Sequence, residues 1–366
     1  MMIQYGTKRN GFGNGHEHGG TVPPYSNSPL NGVYLINFCE HGGIFLKAEN
    51  IEKCPNKGKG RENMSFSPRY ASHELLKFRK LVPRKELLAK DHQYYLSLEK
   101  GFDGELQFDN MLEGINDDWI KIDDLLLEYG HTFFQIDSLI ISQKSIYLFD
   151  IKNYEGEFIV KGDNWESVKG KEIKNPLHQL SRCETLFNRF LQDLGYHYPV
   201  SSYLVFINSQ FTLYQAPYPS PIILPTQLTS LIQRLEKLDS RISEKHTTLA
   251  TKLVSSSSTN YPNAFIPKYE FEELEKGVVC KFCKNLIIEK NDWLVVCHKC
   301  GQSEDIESAI LRSLEDYCFL FPEKKITTAD LLTWCAIFKS KRTIHRILVK
   351  NLKRIGQGKY SYYVRQ

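Results

Sequence analysis

The chain has 366 residues, 41% of them hydrophobic and 25% charged, with a formal net charge of +4 at pH 7. That is enough for about two or three domains with packed cores and excludes a wholly disordered chain. No run approaches the ~18 apolar residues of a membrane span. No charged-then-apolar secretory signal opens the chain. These features, with nine cysteines, lead us to expect a reducing, cytoplasmic compartment.

Residues 1–63 are rich in Gly and Asn and lack periodicity except at 32–46. They read as a disordered extension, and His16-Glu17-His18 as part of a flexible polar tail. Lys57-Gly58-Lys59-Gly60-Arg61-Glu62-Asn63 can be encoded by purine-rich codons, as a translated bacterial ribosome-binding site would be. We therefore expect a bacterial source, Met64 as the natural start and a helical lead-in over residues 64–97.

Residues 98–250 carry an α/β pattern. Gly104-Glu105 opens a helical stretch to Leu112. Glu105 reads either as a site carboxylate or as an N-terminal acid favoured by the helix dipole. Leu139-Ile140-Ile141 and Ile146-Tyr147-Leu148-Phe149, split by a polar turn, predict a buried hairpin. That hairpin carries Asp137 near its start and Asp150 and Lys152 at its end. Residues two apart on a strand share a face. Charges on an apolar hairpin are costly unless paired or metal-bound. Converging carboxylates beside an ammonium suit a Mg²⁺-dependent phosphodiester hydrolase; the plainer alternative is a solvated surface pair. A strand at 156–160 and Trp165 follow. A helix is then expected from Pro176 to a stop at Gly195, and a strand at 202–207.

This stretch, roughly residues 98–215, resembles the nuclease-related domain (NERD), a branch of the restriction-endonuclease-like PD-(D/E)xK superfamily. The resemblance rests on Gly104-Glu105, Gln135-Ile136-Asp137, Asp150-Ile151-Lys152-Asn153, Gly156 with Trp165, and Asn175-Pro176-Leu177 with Gln179. The family usually has Glu where this chain has Asp150; both supply a carboxylate. The resemblance implies a mixed sheet flanked by helices, with Asp137 and Asp150 as ligands of Mg²⁺ or Mn²⁺. Lys152 would position water or stabilise charge, Glu105 would be an added carboxylate, and Gln179 would face the site. For Gln179 the alternative is an ordinary helix-to-sheet hydrogen bond.

Helical spacing continues from Leu228 to Ile242, and a linker is expected over 251–270, around Ser255–Asn260. Cys280-Lys281-Phe282-Cys283 and Cys297-His298-Lys299-Cys300 are two CxxC pairs with thirteen residues between them. This spacing predicts a zinc ribbon (271–304) whose four thiolates hold one structural Zn²⁺. The intervening strands 286–288 and 293–296 are expected to pair with each other. His298 reads as exposed rather than ligating. Residues 305–366 read as three helices and a hairpin, which resembles a winged helix, with Ser340–Lys350 as the recognition helix. Lys341, Arg342, Arg346, Lys353, Arg354 and Lys359 would meet nucleic acid. The charge is uneven: residues 100–238 hold 12 Lys+Arg against 19 Asp+Glu, and residues 324–366 hold 11 against one. A solvated basic face or a protein-docking module is the alternative for this tail.

The expectation is thus a metal-dependent nuclease, acting on DNA, with no organic small-molecule cofactor and no membrane partner. Its rivals are a non-catalytic DNA- or RNA-binding protein on the same fold and an RNA-directed ribbon protein. Two converging carboxylates, which repel phosphate, favour the enzyme.

Overall fold

A computed structural model describes residues 65–365 except 114, 116–118, 239–240, 259–263 and 288–292. The expectations for residues 1–63 and Met64 lie outside these described residues, as does the end of the Ser255–Asn260 segment.

A short strand, β1 (Ser65–Ser67), precedes helix α1 (His73–Leu81), which Ser72 caps by accepting the Leu75 N–H at 3.1 Å. Helix α2 (Ala89–Leu112) leads to an antiparallel meander of β2 (Ile120–Tyr129), β3 (Thr132–Ile141) and β4 (Ile146–Lys152). The expected turn between β3 and β4 is closed by the Ser142 N–H donating to the Ser145 carbonyl at 2.9 Å. The chain then forms β5 (Gly156–Lys161), β6 (Asn164–Ser167) and β7 (Glu172–Ile173). Helix α3 (Pro176–Asp193) starts at Asn175, whose side chain accepts from the Leu177 N–H, and is followed by Gly195 at φ +80°. It carries the chain across to β8 (Val200–Phe206), which lies parallel to β4 with Asp150 opposite Leu204.

β9 (Phe211–Tyr214) returns to a small sheet of order β7-β6-β5-β9, and β10 (Ile222–Ile223) completes a six-stranded mixed sheet of order β1-β2-β3-β4-β8-β10. Helices α4 (Leu228–Glu236) and α5 (Glu244–Ser256) follow. Of the helical spacing over 228–242, α4 takes only the part up to Glu236, and α5 begins beyond it at Glu244. Alternate residues of the central strands feed two cores. Leu148 and Leu204 pack with Leu180 and Phe187 of α3 and Leu249 of α5. Phe149 and Val205 pack with Phe108 and Leu112 of α2 and Leu231 of α4. Strands covered on both faces read as continuous apolar runs, which is why the hairpin stood out in the sequence. Ser257 and Ser258 are tied to β2: the Ser257 hydroxyl accepts from the Leu126 N–H at 3.1 Å and the Ser258 N–H donates to the Leu126 carbonyl at 2.8 Å.

In the C-terminal region β11 (Val278–Val279) pairs with β12 (Leu286–Ile287), and β13 (Leu294–Val296) with β14 (Ser303–Asp305). This corrects the expected pairing of 286–288 with 293–296. A CxxC knuckle reverses the chain, so the strand entering each knuckle pairs with the one leaving it. Helices α6 (Ile306–Leu320), α7 (Thr328–Cys335) and α8 (Lys341–Asn351) follow, then a hairpin of β15 (Lys353–Ile355) and β16 (Tyr362–Val364).

The ribbon and these helices share one core, in which Val278, Ile287 and Val295 join Leu314, Trp334 and Ile344. Leu81 of α1 joins the same core. Lys80 pairs with Asp316, and the buried Arg84 guanidinium lies 3.9 Å over the Trp334 ring and donates to the Glu275 carbonyl at 3.1 Å. The lead-in is therefore packed against the C-terminal region rather than simply preceding the main sheet. Among the described residues, no helix is long and apolar enough to cross a membrane.

Candidate nuclease site and metal centre

Asp150 and Lys152 end β4 on one face, with the Lys152 ammonium 2.6 Å from Asp150 Oδ1. That oxygen is buried, and the ammonium beside it makes the contact a buried ion pair. Asp137 comes from the neighbouring strand, and its Oδ2 accepts the Ile151 N–H, between Asp150 and Lys152, at 2.8 Å. Since Ser138 pairs with Phe149, one further step of the register sets Asp137 opposite Asp150. Glu105 approaches from α2. It lies in the middle of that helix, so the reading of Glu105 as a helix-terminal acid does not apply.

The helix reaches the sheet because residue 104 is glycine. A Cβ there would lie 2.6 Å from the Asn153 Cβ. Asn153 in turn donates to the Lys100 carbonyl at 2.7 Å, tying the end of β4 to α2.

The electrostatics show crowding of negative charge. Burial and the Asp150 charge push Asp137 up to about 6, against the pull of Lys152. Burial and the Asp137 charge push Glu105 up to about 8. Burial works against the Lys152 ammonium, but Asp150 and Asp137 outweigh it and raise the group to about 12. Buried carboxylates crowded together in this way form an oxygen donor set suited to a hard divalent cation.

Sequence reasoning missed a second layer behind this one. Arg69, between β1 and α1, has a side chain only 2% exposed. It donates to Glu105 Oε2 at 2.7 Å, Asp109 Oδ2 at 2.7 Å and the Asp137 carbonyl at 2.8 Å. Lys121 bridges Asp109 and Asp123 at 2.7 and 2.6 Å, and the Ser138 hydroxyl donates to Asp123 at 2.9 Å. Asp124 has φ +53°, and there the residues of β2 that join the core change from Ile120 and Ile122 to Leu125 and Leu127. The acidic pair Asp123-Asp124 inside an apolar strand was the available signal. For Arg69 there was none, since its partners are distant in sequence.

Gln179, expected to face the carboxylates, lies on α3. It is exposed and lines a cleft of about 490 Å³ with Tyr154, Asn175 and His178, whose lining includes none of Glu105, Asp137, Asp150 or Lys152. Cys183, one turn further along α3, is within electrostatic reach of Asp150 and Asp137. Its Sγ contacts the Gln135 carbonyl at 3.3 Å, and burial with the charges of Asp150 and Asp137 drives its thiol pKa up.

The sulfurs of Cys280, Cys283, Cys297 and Cys300 all lie within 4.8 Å of one another. Cys280 and Cys300 are 3.7 Å apart, and Cys283 and Cys297 3.4 Å. A tetrahedron with ~2.3 Å bonds separates sulfurs by about 3.8 Å, so this cluster fits zinc. His298 is exposed, outside the sulfur set.

In the tail, Lys341, Arg342 and Arg346 are exposed on α8, opposite the buried Ile344, Ile347 and Leu348. Lys353 and Arg354 are exposed on β15, while the side chain of Lys359 lies outside what is described. His345 Nδ1 lies 2.7 Å from the Tyr363 hydroxyl, joining α8 to the hairpin.

Among known proteins, the model of the nuclease-related domain family, NERD, matches residues 100–207. This segment is therefore a nuclease-related domain, and it contains Glu105, Asp137, Asp150, Lys152 and Gln179. No curated protein and no solved structure matches the chain.

Proposed function

We propose that the chain is a metal-dependent nuclease that hydrolyses phosphodiester bonds in DNA. The observation that carries this is the convergence of Asp137, Asp150 and Lys152 where the end of the inner strand β4 meets β3, with the buried Asp150 Oδ1 held by the Lys152 ammonium. Asp137 and Asp150 would hold Mg²⁺ or Mn²⁺, with Glu105 as an added carboxylate. A divalent ion supplies Lewis-acid polarisation and a bound water of lowered pKa. Lys152, held charged, neutralises the phosphate and positions the attacking water. Arg69 fixes Glu105 and the Asp137 backbone. The test is incubation of the full chain with plasmid, linear duplex and single-stranded DNA, and with RNA, in Mg²⁺, Mn²⁺ or EDTA. Cleavage of DNA that EDTA stops is expected. Binding without cleavage in either metal would favour the non-catalytic rival.

The raised carboxyls set a pH dependence. A carboxyl whose folded pKa exceeds its unfolded value holds its proton better in the folded state. Its contribution to stability therefore falls as pH rises from about 4 through the folded values near 6 and 8. A bound cation reverses this penalty. The Mg²⁺-induced rise in Tm should be larger at about pH 8.5 than at about pH 5.5. An equal rise at both would remove these carboxyls from the site.

We further propose one structural Zn²⁺ in the ribbon, and that the basic tail holds duplex DNA. Each phosphate contact steepens the log–log salt dependence of binding by roughly 0.9. Arg342→Ala and Arg346→Ala should each flatten that slope by about one contact. An unchanged slope would point to the tail as a protein-docking module.

A further inference from the structure

Helix α1 is held at its two ends by different parts of the molecule. Before it, the Arg69 guanidinium reaches Glu105 and the Asp137 carbonyl. Along it, Arg79 donates to Glu99, on the same helix as Glu105, at 2.8 and 2.6 Å. Beyond it, the chain enters the C-terminal core. Lys80 pairs with Asp316 of α6, Lys85 with Glu273 at 2.6 Å, and the Glu275 N–H donates to the Arg84 carbonyl at 2.7 Å. Helix α1 therefore packs against both α2 and α6.

Arg84 is the costly member of this set. Its side chain is fully buried, yet Nε and Nη2 make no hydrogen bond, and Asp316 Oδ2 stands 3.9 Å from Nη2. Burial pulls its pKa down to about 10, more than the Asp316 charge restores. An under-compensated buried charge opposes folding, and a methionine would pack on Trp334 without that penalty. Stability alone thus does not account for an arginine here. What the guanidinium adds is direction. Stacked 3.9 Å over Trp334 and bonded to the Glu275 carbonyl, it fixes how the end of α1 sits on the C-terminal core.

We propose that α1 is a strut by which the C-terminal core sets the Glu105 carboxylate, with Arg84 as a remote positioning residue acting through α1 and Arg69. This rests on the reading of Glu105 as a carboxylate of the metal site. It makes the C-terminal region part of that site's geometry as well as a means of holding nucleic acid.

The full chain would be titrated with Mn²⁺, following the unbound ion by its EPR signal. Glu105→Gln, which removes a carboxylate charge, should weaken binding at least ~tenfold. Arg84→Met should weaken it roughly fivefold, with zinc content and affinity for duplex DNA unchanged. The deciding variant carries both substitutions. Residues that act independently give additive effects, whereas residues in one line of action do not. Because Arg84 works through Glu105, the double variant should bind Mn²⁺ as Glu105→Gln alone does. Additive losses, or full affinity in Arg84→Met, would overturn the proposal and leave Arg84 a purely structural group. Should Arg84→Met fail to fold, Lys80→Met, at the half-buried Asp316 contact of the same helix, is read by the same criterion. Non-additive Mn²⁺ binding in a protein that cuts no nucleic acid would sink the nuclease reading and spare the strut. Metal-dependent cleavage with a Mn²⁺ affinity indifferent to Arg84 would do the reverse.

Discussion

Asp150→Asn should lower metal-dependent cleavage by at least ~10³-fold while leaving the melting temperature close to that of the parent. Asparagine keeps the size of the side chain and removes the charge that would hold the cation. It also relieves Asp137, whose pKa is raised in part by the Asp150 charge. Lys152→Ala should abolish cleavage as well, but with a different stability signature. The Lys152 side chain is 16% exposed and lies between two carboxylates. Its loss leaves buried negative charge without a partner, which costs on the order of 3 kcal/mol. Added Mg²⁺ should recover part of that loss. The buried ion pair thus separates the two substitutions. Comparable melting temperatures for the two variants in EDTA would show that Lys152 is solvated rather than buried in the site.

The second large effect concerns zinc. Apparent binding energies of structural Zn²⁺ in small fingers are about 10–16 kcal/mol, and most of that is folding energy. In this chain Cys280 and Cys297 belong to the same core as Trp334 and Ile344. Removing zinc with a chelator, or Cys297→Ser, should therefore loosen the ribbon and helices α6–α8 together. Hydrogen exchange should show amides of 278–352 losing protection while those of β3, β4 and β8 keep theirs. Loss confined to the ribbon would mean that the helices hold their core unaided. An absence of zinc in protein purified without chelator would remove the metal centre from the account.

What was legible in the sequence was local. The β3–β4 hairpin announced itself by two apolar runs and a polar turn, α3 by its proline start and glycine stop, and the metal centre by CxxC spacing. What was not legible depended on distant contacts. Gly104 looked like a helix opening, yet it lies inside α2, where it permits the approach to Asn153. The first half of α2 was read as the end of a separate helical lead-in, because few of its residues are buried and no apolar period carries it on into Gly104. Arg69 gave no signal, since it acts through Glu105, Asp109 and Asp137 on two other elements, α2 and β3. Gln179 was assigned through family resemblance; it lines a cleft with Tyr154, Asn175 and His178 whose lining includes none of Glu105, Asp137 and Asp150. The pairing of the ribbon strands and their common core with α6–α8 likewise follow from packing that residue spacing does not encode.

The central claim is that Asp137 and Asp150 share one cation where the end of β4 meets β3. The most direct measurement is a crystal of the full chain soaked in Mn²⁺, with anomalous scattering locating the ion. The account predicts one anomalous peak within coordination distance of both carboxylates, with the Lys152 ammonium displaced from Asp150 Oδ1 and Glu105 turned toward the ion. The contradicting result is a map without Mn²⁺ between these carboxylates and with the Lys152–Asp150 ion pair intact.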